Sequence, residues 1–177
     1  GGAWYLILSE IFGALGISRH GTDKQKEKYL PGIARGELEC CLALTEPDAG
    51  SNTLNIKTTA LKKEDRWLIN GSKTFISGAD RASVMVIVAR TTPKDKAPQK
   101  ELGLSLFLAD LPSPAIEVSP IPKHGVNYSH SCQVGINELE LPEEALMPPL
   151  DRGWYSLLDT LNTERMSFTA AALGLAR

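Results

Sequence analysis

Two hydroxyl-rich stretches of the chain follow apolar runs, and both could bind a polar ligand. The first reads LALTEPDAGSN over residues 42–52, and the second reads TFISG over residues 74–78. Glycine lets the backbone approach a bound molecule closely, and backbone N–H and side-chain O–H groups can donate hydrogen bonds to a flat heterocycle or a pyrophosphate. Ordinary β-turns closed by serine and aspartate side chains would have the same pattern. The pattern alone leaves a binding site and a pair of structural turns both open.

A third candidate is Glu164, which interrupts an apolar helical stripe near the end of the chain. The apolar members of this stripe, at alternating spacings of four and three residues, are Leu157, Leu161, Phe168, Ala171 and Leu175. A carboxyl group buried among such side chains has a raised pKa and can act as a general base. Alternatively, Glu164 pairs with a cation across a helix interface, or the stripe turns it towards the surface.

Other kinds of site are not indicated by the sequence. It contains no Gly-x-Gly-x-x-Gly, Walker, Gly-x-Ser-x-Gly or zinc motif, so a Rossmann-type nucleotide site is not expected. The 19 basic and 21 acidic residues are spread along the chain, which argues against nucleic acid as a partner. Three cysteines without Cys-x-x-Cys spacing indicate a reducing compartment. We expect His20, His124 and His130 to be solvated in loops, without a nearby constellation of an acid and a nucleophile.

The elements that must position the three candidates fall into consecutive groups. Residues 1–18 are apolar but are interrupted by Glu10 and are shorter than a membrane span of about 20 residues, so they predict a buried helix and no integral membrane segment. Thr22 and Gln25 have the spacing of a capping box before a helix over residues 24–34, with a kink or break expected at Pro31.

Residues 40–147 contain about seven strand-length apolar runs joined by turn-rich loops, which predicts a compact barrel or sandwich. Asn70-Gly71 within them predicts a hairpin turn. A long helix follows, so the fold class is α+β. We expect three parts, at residues 1–39, 40–150 and 151–177. Because the chain starts without methionine and stops within a helical pattern, we expect it to be a piece of a longer protein.

The motifs taken in order resemble the acyl-CoA dehydrogenase family. ALTEPDAGSN is similar to the family signature, and WLINGSKTFISGADRASVMVIVAR is similar to the segment that brings an aromatic-Ile-Thr/Ser triplet to the flavin. LGLSLFLAD, KHGVNYSHSCQV, LELPEEALM and ERMSFTAAALGLAR follow in the family's order, so the resemblance covers nearly the whole chain. Asn52 stands where the family usually has Asp, and Phe75 stands where Trp is common.

The resemblance implies an FAD-dependent α,β-dehydrogenation of acyl-CoA thioesters. In this family a carboxylate takes the proton from Cα, a hydride leaves Cβ for flavin N5, and the electrons pass to an electron-transfer flavoprotein. The three parts would then be the end of an N-terminal helical domain, a complete middle β-barrel domain and the start of a C-terminal helical domain. The resemblance also implies a homo-oligomer, either a dimer or a tetramer, in bacterial cytoplasm or the mitochondrial matrix.

Family roles carried over position by position give a set of site residues. Those expected to contact FAD are Leu42, Leu44, Thr45, Gly50, Ser51, Phe75, Ile76 and Ser77. The resemblance places the Thr45 hydroxyl at the pyrimidine edge of the flavin, Ser51 at the pyrophosphate and the acyl-CoA channel, and Ser77 near N5 and O4.

Glu164 occupies the position of the catalytic base in the isovaleryl-type and long-chain branches, with Arg165 beside the substrate. In most other members the base lies further along the chain, beyond Arg177. Two alternatives stay open. The parent protein could be an acyl-CoA oxidase or a nitroalkane-oxidase-like flavoenzyme, or this piece by itself could be a non-catalytic scaffold or binding module.

Overall fold

The computed structural model describes residues 10–176, and it begins with helices. A π-helical segment, Glu10–Leu15, continues into α1 (Gly16–His20), and α2 (Asp23–Ala34) follows. The capping box is confirmed, because the Gln25 N–H donates to the Thr22 hydroxyl at 3.2 Å and the Thr22 N–H donates to Gln25 Oε1 at 2.9 Å. Of the kink or break expected at Pro31, the break is wrong, since α2 continues through this residue to Ala34. The helix predicted over residues 1–18 lies largely outside the described residues.

The middle of the chain forms one mixed sheet of eight strands within the described residues. They are β1 (Cys40–Ala43), β2 (Thr59–Lys63), β3 (Arg66–Ser77), β4 (Val84–Arg90), β5 (Leu104–Asp110), β6 (Ile116–Pro120), β7 (Ser131–Pro142) and β8 (Leu146–Met147). The order is β6-β7-β3-β2-β4-β5-β8, with β1 added in parallel to β4. The prediction of the α+β class is confirmed. The prediction of a barrel is wrong, because β6 and β8 end the path at opposite edges of the sheet.

Burial on both faces of β4 and β5 explains why an open sheet is stable. One face of these strands, including Met85, Ile87 and Phe107, packs against β3 and β7 in the first core cluster. Trp67 of β3 meets Phe107 edge to face, with ring centroids 5.2 Å apart. The opposite face, including Val86 and Leu106, packs against the helices in a second cluster. The helices thus cover apolar surface on this face of the sheet that would otherwise be exposed to water.

The predicted hairpin turn at Asn70-Gly71 is wrong, because both residues lie inside β3. The chain reverses between β2 and β3 at Glu64, whose φ is 49°, and Lys63 pairs with Arg66 across this turn. Gly71 instead permits close packing. A Cβ atom built there would lie 2.2 Å from Thr58 Oγ1, and the pairing of β3 with β7 shifts register between Ile69 and Gly71.

The last helix, α3 (Gly153–Ala176), starts directly on the sheet. A Cβ atom on Gly153 would lie 2.9 Å from the Cα of Ser105, so glycine allows the helix to begin against the β5 backbone. Just before it, Asp151 accepts a hydrogen bond from Thr91 at 2.6 Å and donates its N–H to Ser105 Oγ at 2.8 Å. Leu157 is fully buried, whereas Met166 further along is 74% exposed. Within residues 10–176, no helix combines the length and apolarity needed to cross a bilayer.

Candidate functional site

A cleft of about 430 Å³ opens where β1, the end of β3 and α3 meet. The predicted site residues that line it are Leu42, Leu44, Thr45, Phe75, Ile76, Ser77 and Glu164. The other side chains along its walls are Lys123, Val126, Ser129, Ser131, Leu161 and Phe168. The fold therefore brings both hydroxyl-rich stretches and the carboxylate of α3 to one cavity, although they are far apart in the sequence.

Three of the predicted site residues do not line this cleft. Gly50 and Ser51 are exposed at the far end of the turn after β1. Arg165 is exposed on α3 and donates to Asn162 Oδ1 at 2.8 Å. Their assignment to FAD and substrate stays a prediction from the family resemblance.

The first wall of the cleft comes from β1 and the turn that follows it. Leu42 pairs in parallel with Val86 of β4, which fixes the strand on the sheet. The turn is closed by a reciprocal pair of backbone hydrogen bonds between Glu46 and Ala49, of 3.1 and 3.2 Å. The local turn expected in this stretch is therefore present, and hydrogen bonds between backbone groups close it. Such a turn still leaves Thr45 at the cleft.

The second wall comes from a distortion at the end of β3. The register of β3 against β7 shifts between Lys73 and Ile76, and Phe75 in this interval has a φ of 58°. A left-handed backbone is unfavourable for an aromatic residue, and such conformations cluster at functional sites. The bulge turns the Phe75 ring outwards, where it is 65% exposed, while Ile76 beside it is buried. A large exposed aromatic ring on a cleft wall suits stacking against a flat ligand.

Glu164 reaches the cleft from α3, on the same side as Leu161 and Phe168. Burial raises the pKa of its carboxyl group, and the neighbouring Arg165 guanidinium opposes the shift. A half-buried carboxylate with a raised pKa, facing a cavity, can accept a proton from a bound molecule. This placement agrees with the interpretation of Glu164 as a buried general base.

A buried ion pair below the first wall was missed by the sequence analysis. Lys73 is completely buried, and its ammonium donates to Glu46 Oε1 at 2.9 Å, to the Leu44 carbonyl at 3.0 Å and to the Val88 carbonyl at 2.7 Å. Burial lowers the pKa of Lys73 to about 8, although the Glu46 carboxylate opposes this shift. The alternation of β3 could have indicated this burial, since Lys73 is an even number of residues from Trp67 and Ile69, which are buried on the same strand.

Glu46 is held by more than its lysine partner. Its carboxylate also accepts the backbone N–H of Lys57 at 2.6 Å and that of Thr58 at 3.0 Å. Burial alone would raise the pKa of Glu46, but Lys73 and these hydrogen bonds together hold it below its usual range. The carboxylate therefore stays ionised and joins the turn after β1 to the segment before β2.

Two of the histidines have acidic partners that the sequence analysis did not predict. His130 Nδ1 lies 2.6 Å from Asp80 Oδ2, and Cys132 Sγ donates to the other oxygen of Asp80 at 3.6 Å. His20 Nε2 lies 3.1 Å from Asp159 Oδ2. The acids are at least 50 residues away in sequence, so local spacing could not reveal them. The Asp80 contact ties the end of β3 to the start of β7, close to Ser77.

Comparison with known proteins shows the family to which the chain belongs. The family model described as acyl-CoA dehydrogenase, middle domain, matches residues 41–139, and the model described as acyl-CoA dehydrogenase, N-terminal domain, matches residues 1–37. The acyl-CoA dehydrogenase FadE12 of Mycobacterium tuberculosis is 37% identical over 172 residues, which are 97% of this chain and 44% of the relative.

Solved structures agree with these matches. A glutaryl-coenzyme A dehydrogenase in complex with glutaryl-CoA superposes with a TM-score of 0.91 at 32% identity, over 98% of this chain and 43% of that one. A structure described as the electron transferring flavoprotein of Acidaminococcus fermentans superposes with a TM-score of 0.91 at 32% identity, over 98% of this chain and 45% of that one. The chain thus spans less than half the length of the proteins it resembles.

Proposed function

Because the chain belongs to the acyl-CoA dehydrogenase family, we propose that it builds the flavin-facing part of an enzyme that desaturates acyl-CoA thioesters between Cα and Cβ. The observation that carries this proposal is the single cleft shared by Thr45, Phe75, Ser77 and Glu164. It combines hydroxyl donors, an exposed aromatic ring and a carboxylate of raised pKa. Residues 1–39, 40–150 and 151–177 would be parts of the N-terminal, middle and C-terminal domains.

The cleft residues fit FAD in their chemistry. Leu42, Leu44 and the Phe75 ring offer apolar surface to the faces of a flat tricyclic ring. The hydroxyls of Thr45 and Ser77 offer donors to its polar edge. When bound, FAD supplies the acceptor for the hydride that leaves Cβ. Donors fixed in advance at the ring edge stabilise the negative charge that develops there during reduction.

Glu164 is the proposed base. Its carboxylate would accept the proton from Cα, and the electron pair of that C–H bond would form the Cα=Cβ double bond. The α-carbon of a thioester is a weak acid, so a carboxylate of raised pKa matches it better than a solvated one does. Leu161 and Phe168 line the same cleft and give this carboxylate apolar neighbours.

Partners follow from the same proposal. Electrons would pass to an electron-transfer flavoprotein, as the family resemblance implies. The exposed apolar side chains Met166 and Leu173 on the second half of α3 are suited to burial against the rest of the protein or a second copy, which supports a homo-oligomer.

The test uses the full-length protein, purified and examined by visible absorption. We expect a flavin band that bleaches when a saturated acyl-CoA of suitable length is added without oxygen. The Glu164→Gln variant should keep the band and lose bleaching by a factor of about 10² to 10⁴, the usual contribution of a general base. Glu27→Gln, at an exposed glutamate of α2, is the matched control and should bleach normally.

Each other outcome excludes a part of the proposal. Equal bleaching in Glu164→Gln would place the base beyond Arg177. Oxygen consumption during turnover without another acceptor would indicate an oxidase. Absence of flavin from the purified wild-type protein would contradict the enzyme and leave the scaffold alternative.

A further inference from the structure

The Lys73–Glu46 ion pair connects the two walls of the cleft, and the proposed chemistry does not use it. The Lys73 side chain is fully buried and that of Glu46 is 5% exposed. Removing two charges from water is costly, and apolar residues of similar size often stabilise a fold at least as well. Stability alone therefore does not account well for an ion pair at this place.

The contacts of Lys73 show what the pair holds. An ammonium has three N–H donors, and here each has one acceptor, on Leu44, Glu46 and Val88. Leu44 directly precedes Thr45, so the same ammonium fixes the peptide carbonyl that leads into Thr45. A neutral apolar side chain of the same length would leave these acceptors buried without a donor, which is unfavourable.

Lys73 also stands at the beginning of the bulge that presents the second wall. Its neighbour Thr74 donates its N–H to the Thr45 carbonyl at 2.9 Å. The two walls are therefore joined at two successive carbonyls, since Lys73 binds that of Leu44 and Thr74 binds that of Thr45. Phe75 follows in the left-handed conformation, with its exposed ring on the wall of the cleft. The ammonium thus ties the start of the bulge to the turn after β1.

We propose that Lys73 and Glu46 are positioning residues that hold the Thr45 wall and the Phe75 wall of the cleft at the separation a flavin ring requires. The inference rests on the proposed FAD function. The pair itself does not line the cleft, and it acts through Leu44, Thr45 and the bulge at Phe75. Flavin affinity and the asymmetry of the flavin environment should therefore depend on it beyond its effect on stability.

The test uses the full-length flavoprotein with Lys73→Met, Glu46→Gln and the double variant. Flavin affinity is measured by titrating the flavin-free protein with FAD, the flavin environment by visible circular dichroism, and stability by thermal unfolding of the flavin-free form. Lys57→Met is the matched control, because Lys57 forms an exposed ion pair with Asp48 at 2.8 Å in the same region. Its backbone N–H, which Glu46 accepts, is unchanged by the substitution.

We expect Lys73→Met to weaken FAD affinity about tenfold or more, the equivalent of losing one hydrogen bond to a charged group, and to change the visible dichroism. Lys57→Met should stay within about twofold of the wild type, as expected for an exposed ion pair. The double variant leaves no buried charge unpaired, although the Leu44 and Val88 carbonyls still lack their donor. Thermal stability should therefore recover in part relative to Lys73→Met, while flavin affinity stays low.

Two outcomes would overturn the inference. The first is wild-type affinity and dichroism in Lys73→Met, and the second is recovery of affinity together with stability in the double variant, which would make the role merely structural. If Lys73→Met does not fold, Glu46→Gln decides by the same measurements. A wild-type protein that binds no FAD would contradict the proposed function as well. If the wild type binds FAD and the variants do not behave as expected, only the inference about the ion pair is contradicted.

Discussion

Replacing Gly71 by alanine should destabilise the protein, although an alanine normally suits a strand better than a glycine. The new Cβ would lie 2.2 Å from Thr58 Oγ1, 2.6 Å from its Cβ and 2.7 Å from its Cγ2, all well inside van der Waals contact. Thr58 cannot easily yield. It is 1% exposed, its N–H donates to Glu46 Oε1 at 3.0 Å, and its carbonyl accepts the Arg90 N–H at 2.7 Å.

The magnitude follows from two opposing effects. Forcing an extra methyl group into a packed interior costs about 1–3 kcal/mol. An alanine restricts the unfolded chain more than a glycine does, which by itself stabilises the folded state by about 0.4–1 kcal/mol. We therefore expect a net loss of about 1–2 kcal/mol for Gly71→Ala, measured by thermal or denaturant unfolding of the full-length protein.

The facing strand offers a matched control. Gly135 of β7 pairs with Ser72, next to Gly71, but a Cβ there would meet its nearest neighbour, Glu117 Cβ, at 3.8 Å. Gly135→Ala should stay within about 0.5 kcal/mol of the wild type. A Gly71→Ala, Thr58→Gly double variant should recover part of the loss, because the clashing side chain is removed. Equal stability of Gly71→Ala and Gly135→Ala would refute the packing argument.

Two further predictions concern titratable groups. The proposed activity requires Glu164 in its deprotonated form, and burial raises the pKa of this group. When the solution is acidified, the rate of flavin reduction should therefore begin to fall at a higher pH than it would with an ordinary glutamate as the base. A pH–rate profile of flavin reduction measures this, and an acid limb in the usual glutamate range would contradict it. The thiols of Cys40, Cys41 and Cys132 are buried, and burial raises the pKa of Cys40 to about 12. Iodoacetamide followed by peptide mapping should label them only after unfolding, and labelling of the native protein at the rate of an exposed thiol would count against this.

Local patterns predicted those parts of the fold that depend on neighbours in sequence. The capping box of Thr22 and Gln25 could be recognised because a helix start needs its side chains within one turn. The near alternation of Val134, Ile136, Leu139 and Leu141 agrees with four buried positions on β7. It shifts by one residue at Glu138, whose φ of 51° marks the irregularity.

Strand pairing decided what these patterns left open. Asn70-Gly71 has the composition of a hairpin turn, but β3 continues through it because β7 pairs with the strand on both sides of that point. The local preference of Asn-Gly for a turn is weaker than the stabilisation that strand pairing and burial of one face provide. In the same way, the spacing of the strands predicted a barrel, but the pairing leaves β6 and β8 at opposite edges of an open sheet.

By itself, the sequence determined the residue types at the candidate site: the hydroxyls of Thr45 and Ser77, the aromatic ring of Phe75 and the carboxylate in the stripe of α3. Only the tertiary structure decided which of them share a cavity, and it leaves Gly50 and Ser51 outside that cavity. The ion pair of Lys73 with Glu46 also depends on the fold, since its partners are 27 residues apart. The physical reason is that chemical character belongs to each residue, whereas distance, burial and pKa arise when strands and helices from separate parts of the chain pack together.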